Sequence, residues 1–270
     1  MEKKMEKKME KKMYTIDDLV HIMERLRGEG GCPWDAEQTH DSIKASMIEE
    51  SYEAIDALEK GDDAMFANEL GDLLLQVVFH AQIAKERGAF DLSDILYEIC
   101  EKLISRHTHV FGNDAAHDGA SALETWEQNK LKEKGLKSTT ESMRDVISAL
   151  PALTRAAKVQ RKAKNVGFDW PDVSGALEKL HEETRELEEA IASGKQESID
   201  EELGDLLFTA VNISRFVHTD AEEALRHATD KFIDRFAVLE HIAQENGENL
   251  CNLTLESLET LWQKAKIEKK

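Results

Sequence analysis

A carboxylate pattern written twice constrains this chain more than any other feature. It reads Glu49-Glu50-x-x-Glu53 followed by Glu69-x-x-Asp72, and later Glu182-Glu183-x-x-Glu186 followed by Glu202-x-x-Asp205. The spacing between the two halves is the same in both copies, and each second half lies in the phrase Glu-Leu-Gly-Asp-Leu-Leu. Self-similarity of this kind marks an internal duplication, so the chain folds as two versions of one unit. Other residues follow the same duplication. Lys102-x-x-x-Arg106 returns as Lys231-x-x-x-Arg235, and Leu123-Glu-Thr-Trp126 resembles Leu258-Glu-Thr-Leu-Trp262. Gly31-Cys-Pro-Trp34-Asp35 likewise resembles Gly167-Phe168-Asp169-Trp170.

The length of 270 residues, 41% of them hydrophobic, suits two domains of about 100 to 150 residues, each with its own core. Only three prolines interrupt the chain, Pro33, Pro151 and Pro171, and the apolar residues between them recur at helical spacing. The spacing predicts helices over 16–27, 41–59, 63–86, 92–106 and 121–134, then over 151–164, 173–192, 196–218, 220–245 and 255–267. The expected fold is all-α, two tandem helical-bundle repeats. Residues 1–13 repeat a charged Met-Glu-Lys-Lys tetrad without an apolar core, so they read as a low-complexity extension and not as a secretory signal. The first repeat then covers 14–134, a polar linker 135–143, and the second repeat 144–270.

A net charge of −20 argues against a general grip on nucleic acid or on an anionic membrane. No apolar run approaches the roughly 20 residues that span a bilayer. Cys32, Cys100 and Cys251 are far apart and lack CxxC spacing, which indicates neither a disulfide framework nor a zinc site and fits a reducing cytoplasm.

With 55 acidic residues in the chain, one EExxE alone marks a solvated helix face. Position changes the weighing. At 100° per residue Glu50 falls within the stripe Ile43, Met47, Ala54 and Leu58, and Glu183 falls between Leu180 and Leu187. The helices bearing Glu69 with Asp72 and Glu202 with Asp205 are apolar almost all round, a pattern that carries their acids into an interior or a cleft wall. Carboxylates forced together repel by roughly 4 kcal/mol per pair at about 4 Å and an effective dielectric near 20. A cation offsets that cost. Glu183 with Glu186 and Glu202 with Asp205 make converging pairs suited to a hard oxygen-liganded ion such as Mg²⁺, and Glu50, Glu53, Glu69 and Asp72 repeat the set.

Lys231 and Arg235 share a helix face suited to a polyphosphate, and Trp170 and Trp262 suit stacking on a base. No glycine-rich phosphate loop and no nucleophilic Ser, Cys or Thr motif occurs. Two other readings are open to the residues. Glu37-x-x-His40 and Glu178-x-x-His181 carry the spacing of a ferritin-like di-iron bundle, and an acidic helical partner-binding module needs no chemistry at all.

The paired acidic helices, Gly31-Cys-Pro-Trp34-Asp35, Arg106-His-x-His109-Val-Phe and Val166-Gly-Phe-Asp-Trp170 together resemble the MazG family of two-repeat nucleoside triphosphate pyrophosphohydrolases, from about residue 14 to 267. The resemblance implies an all-α NTP pyrophosphatase fold and a homodimer. It also implies Mg²⁺-dependent cleavage of a broad set of nucleoside triphosphates to monophosphate and pyrophosphate, with Mn²⁺ as a substitute ion, in nucleotide-pool cleansing or stress response. Carried over residue by residue, it assigns Glu183, Glu186, Glu202 and Asp205 to metal. Lys179 to Glu183, Ser198 to Glu201, Lys231 to Arg235 and Trp262 go to nucleotide. Glu182 and Glu201 stand beside the ligands as alternative acceptors of the water's proton. The first repeat departs from this pattern, with Ser46 in the place of Lys179 and Met65-Phe-Ala-Asn68 in the place of Ser198-Ile-Asp-Glu201. Activity is therefore expected mainly from the second repeat.

Overall fold

A computed structural model describes residues 13–114, 116–135 and 138–268. The charged extension expected over 1–13 lies, but for Met13, outside them. Every regular element among the described residues is helical. The first unit contains α1 (Ile16–Arg27), α2 (Pro33–Glu37), α3 (His40–Glu59), α4 (Asp63–Glu86), α5 (Leu92–Arg106) and α6 (Thr108–Phe111). After α7 (Gly119–Lys134) come α8 (Thr139–Arg144), α9 (Ala152–Lys164), α10 (Val173–Ser193), α11 (Gln196–Phe216), α12 (Ala221–Glu245) and α13 (Leu255–Glu268). The chain divides into compact units at Lys130/Leu131, within α7. Both this division and α8 depart from the expected linker at 135–143. Ser138 accounts for α8, because its side chain accepts from the Glu141 backbone N–H and starts a helix in a polar stretch.

Short polar side chains set where the long helices begin. Thr15 and Asp18 form a reciprocal capping box on α1, as do Thr39 and Ser42 on α3 and Asp91 and Asp94 on α5. Asp62, Asp172 and Asp220 cap α4, α10 and α12. The hairpins α3–α4 and α10–α11 turn at Gly61 (φ 68°) and Gly194 (φ 69°), a backbone conformation that only glycine adopts without strain. These two glycines stand at the same offset as the duplicated acids, so the duplication extends to the turn geometry.

In the first unit α4 packs against α1, α3 and α5, and the core gathers Met23, Ile43, Val78, Phe79 and Ile83. In the second, α11 packs on α9, α10 and α12, while α12 and α13 close over Leu239, Ala243, Leu261 and Ala265. Alanines at the hairpin contacts, Ala54 and Ala57 in α3 and Ala176 and Ala190 in α10, are buried and let the helices approach closely. Among the described residues the all-round apolar character of α4 and α11 is only partly covered within each unit. Leu70 and Leu74 on α4, and Leu203, Leu207 and Phe208 on α11, remain nearly half exposed. No described helix is long and apolar enough to cross a membrane.

Candidate functional site

The hairpin α10–α11 brings its two acidic motifs face to face. Glu183 is only 4% exposed, which matches its place between apolar positions of α10. Carboxylate oxygens of Glu183, Glu202 and Asp205 lie within 4.8 Å of one another. In the first unit Glu50, Glu53 and Glu69 form the corresponding group by the same criterion. The fourth acid of each expected set, Glu186 and Asp72, falls outside these close groups. Three-residue spacing puts an acid on the correct helix face, but the facing helix decides which oxygens meet. Burial also differs from expectation: Asp205 is exposed, Glu69 and Asp72 are half-buried, and Leu58 of the α3 stripe faces solvent.

The electrostatics follow from this crowding. Desolvation holds the Glu202 carboxyl above its usual range, and Glu186, Glu183, Glu201 and Asp205 push the same way. Glu186 therefore acts on the cluster across space. Glu50 is raised likewise, by desolvation and then by Asp72, Glu53, Glu69 and Glu49. Lys179 opposes this repulsion in the second unit. Its Nζ lies 2.8 Å from Glu182 Oε1 and 2.7 Å from Glu183 Oε1, an arrangement that raises the lysine's pKa and lowers that of Glu182. Ser46 gives the first unit no such cation.

Other expected residues collect elsewhere in the second unit. The Trp262 ring of α13 lies 5.0 Å from Phe232 on α12, with Lys266 Nζ 6.0 Å from the indole. Lys231 is exposed and Arg235 half-buried on the same α12. Ser198 is half-buried and Glu201 exposed on the first turns of α11. Sequence reasoning missed Arg215, whose guanidinium grips Asp169 through two hydrogen bonds of 2.5 and 2.8 Å. The pair ties the Phe168-Asp169-Trp170 loop to α11. Trp170 rests on Gly175, where a Cβ would come within 2.3 Å of the indole. The nearest sequence signal was the Asp beside Trp170, which names one partner only. The residues of the di-iron alternative do not form a core site. Glu37 ends α2 and His40 begins α3, and Glu178 and His181 are both exposed on α10.

All-oxygen donor sets on paired helices, duplicated and joined by glycine turns, narrow the candidates to helical proteins that handle hard cations. The MazG nucleotide pyrophosphohydrolase domain matches residues 38–111 and 173–239, one segment over each acidic hairpin. The chain belongs to the MazG family. It is 47% identical over 250 residues to the nucleoside triphosphate pyrophosphohydrolase/pyrophosphatase MazG of Thermotoga maritima, spanning 93% of this chain and 95% of that protein. It is also 44% identical over 257 residues to the nucleoside triphosphate pyrophosphohydrolase of Escherichia coli K12, spanning 94% and 98%. Each of the two family segments contains one of the clusters described above.

Proposed function

We propose that this protein hydrolyses nucleoside triphosphates to nucleoside monophosphate and pyrophosphate at the acidic cluster of its second repeat, with broad base specificity and a role in cleansing the nucleotide pool or in stress response. The carrying observation is the convergence of Glu183, Glu202 and Asp205 from two helices, with Lys179 bonded into the same cluster. The donor set is made only of carboxylate oxygens, which fits Mg²⁺ or Mn²⁺, and Glu186 completes it from one turn along α10. A bound divalent ion supplies charge neutralisation for the triphosphate and makes water a better nucleophile near neutral pH. The protein's own groups do the rest. Lys179, Lys231 and Arg235 hold phosphate oxygens, Ser198 adds a hydroxyl donor, and Trp262 offers its ring to the base. Water's oxygen bonds to phosphorus as the bond to the leaving phosphate oxygen breaks, and its proton passes to a carboxylate. Glu201 is the better acceptor, since Glu182 is engaged by Lys179 and held below the usual carboxylate range.

The first repeat holds the acids Glu50, Glu53, Glu69 and Asp72 but has Ser46 and Asn68 where the second has Lys179 and Glu201. It binds metal and contributes little turnover. The large apolar residues left exposed on α4 and on α11 support a homodimer, because exposed apolar surface is covered on association. Incubation with a panel of NTPs and Mg²⁺ yields monophosphate and pyrophosphate for most bases. Release of nucleoside diphosphate and orthophosphate overturns the reaction assigned, and absence of any cleavage favours a binding module.

A further inference from the structure

We propose that His40 and His80 form a proton-sensitive latch that holds the open end of the first acidic hairpin shut near neutral pH and weakens in mild acid, a response the second hairpin lacks. The chain between α3 and α4 turns at Gly61, so at the other end of the hairpin the start of α3 meets the C-terminal part of α4. His40 is the first residue of α3, and its Nδ1 lies 2.8 Å from the Nδ1 of His80; both rings are half-buried. The ring planes differ by 7° and the ring centres are 5.1 Å apart, which is the nitrogen separation plus one ring radius at each end. The imidazoles therefore meet edge to edge in one plane, the in-line geometry of an N–H···N hydrogen bond.

This bond limits how many protons the closed hairpin can hold. Two neutral rings form it with one Nδ1 donating and the other accepting. A single added proton settles on the Nε2 of the donating ring, and the bond survives. A second proton must go to the accepting Nδ1, which sets two N–H groups and two positive charges against each other. In an unfolded chain each histidine takes its own proton at about pH 6.5. The closed form thus binds one proton fewer in mild acid, so closure is full above about pH 6.5 and weakens by up to about tenfold for each pH unit below it. The lowered pKa of His80, caused first by desolvation and then by His40, has the matching sign. Ile43 and Ile83, one turn beyond each histidine, belong to the buried cluster of the first unit, so opening this end exposes the core.

Neighbouring charges do not relieve the pair. Among the described residues, His40 is the one group whose charge acts on His80. On α3, Asp41 and Lys44 pair with each other at 3.4 Å in solvent. From α1, Arg27 stands over the Phe79 ring and donates to the Gln38 carbonyl oxygen and to Glu86 on α4. Glu37 at the end of α2 is exposed, and Asp91 before α5 is occupied in capping that helix. The duplication supplies a comparison inside the same chain. At the offset of the duplicated acids, the second unit has Val173 and Ile213 in place of His40 and His80, both half-buried, and neither can titrate.

The test is hydrogen exchange of the full chain in EDTA, followed by mass spectrometry at about pH 7.5 and about pH 5.5 and corrected for the chemical exchange rate. Protection of α3 and α4 falls about tenfold between the two conditions in wild type. It stays within about twofold in the double variant His40→Val/His80→Ile, which carries the aliphatic pair of the second unit and leaves every acid of the hairpin in place. A second measurement needs no variant. With ¹⁵N-labelled histidine, nuclear magnetic resonance at about pH 7.5 shows a coupling across the hydrogen bond between one nitrogen of each of two imidazoles. Absence of that coupling overturns the proposal. So does protection of α3 and α4 that does not fall in wild type, or that falls equally in the double variant.

Discussion

Lys179 is the residue that most distinguishes the two acidic clusters. Its ammonium bonds Glu183, the buried carboxylate at the centre of the second cluster, and the serine at the matching place of the first repeat cannot do so. The Glu183 carboxylate bonds the lysine and would also face a divalent ion bound to the cluster, so the two cations would compete for its charge. Lys179→Ser is expected to tighten nucleotide-free Mn²⁺ binding to the second repeat several-fold, by electron paramagnetic resonance titration, while raising KM for NTP about tenfold through loss of a charged phosphate contact. Unchanged Mn²⁺ affinity contradicts this competition. The burial of Glu183 was legible in the sequence because apolar residues stand three before it and four after it on α10. The separation of Glu186 from the closest group was not, since it depends on how α11 lies against α10.

At the scale of elements, the loop that carries Trp170 is tied to α11 by the Asp169–Arg215 pair. Both side chains are nearly buried, 13% and 11% exposed, and removing one partner leaves the other charged and unpaired. Asp169→Ala is expected to destabilise the second unit by about 3 kcal/mol, measured by denaturant unfolding. The sign with pH follows from the depressed Asp169 pKa, which the bond from Arg215 causes first. The folded form binds this proton less readily than the unfolded chain does. The pair's contribution is therefore full above the ordinary aspartate range, near pH 4, and is lost as pH falls through the depressed value. Wild type should lose more stability than Asp169→Ala over that acid window; equal losses would show that the pair is not the source. Long helices such as α1, α4 and α5 were readable to the residue from capping side chains and apolar period. The short α2, α6 and α8 were not, because a one- or two-turn helix has too few residues to show a period.

For the whole molecule, the apolar residues left open on α4 and α11 require a covering surface. An apolar helix read from sequence alone predicts burial, but it does not say whether the cover comes from the same chain. Leu203, Leu207 and Phe208 are exposed, and the homodimer proposed above would cover them with a second copy. Light scattering should give twice the chain mass for wild type, and Leu207→Glu should shift the protein toward monomer. A wild-type protein that stays monomeric at micromolar concentration contradicts the dimer. The duplication of the acids was legible in the sequence, whereas the matching glycines of the hairpin turns and the α12–α13 aromatic pair of Phe232 and Trp262 emerged only with the fold.

The proposed seat of hydrolysis is the Glu183, Glu202 and Asp205 cluster and not its first-repeat counterpart. It is tested most directly by comparing steady-state NTP hydrolysis in Glu183→Ala and Glu50→Ala at saturating Mg²⁺. Loss of a carboxylate at the metal should lower kcat/KM about a hundredfold or more in Glu183→Ala, and Glu50→Ala should stay within about threefold of wild type. The reverse order, with Glu50→Ala the damaging change, would contradict the account and move the chemistry to the first repeat.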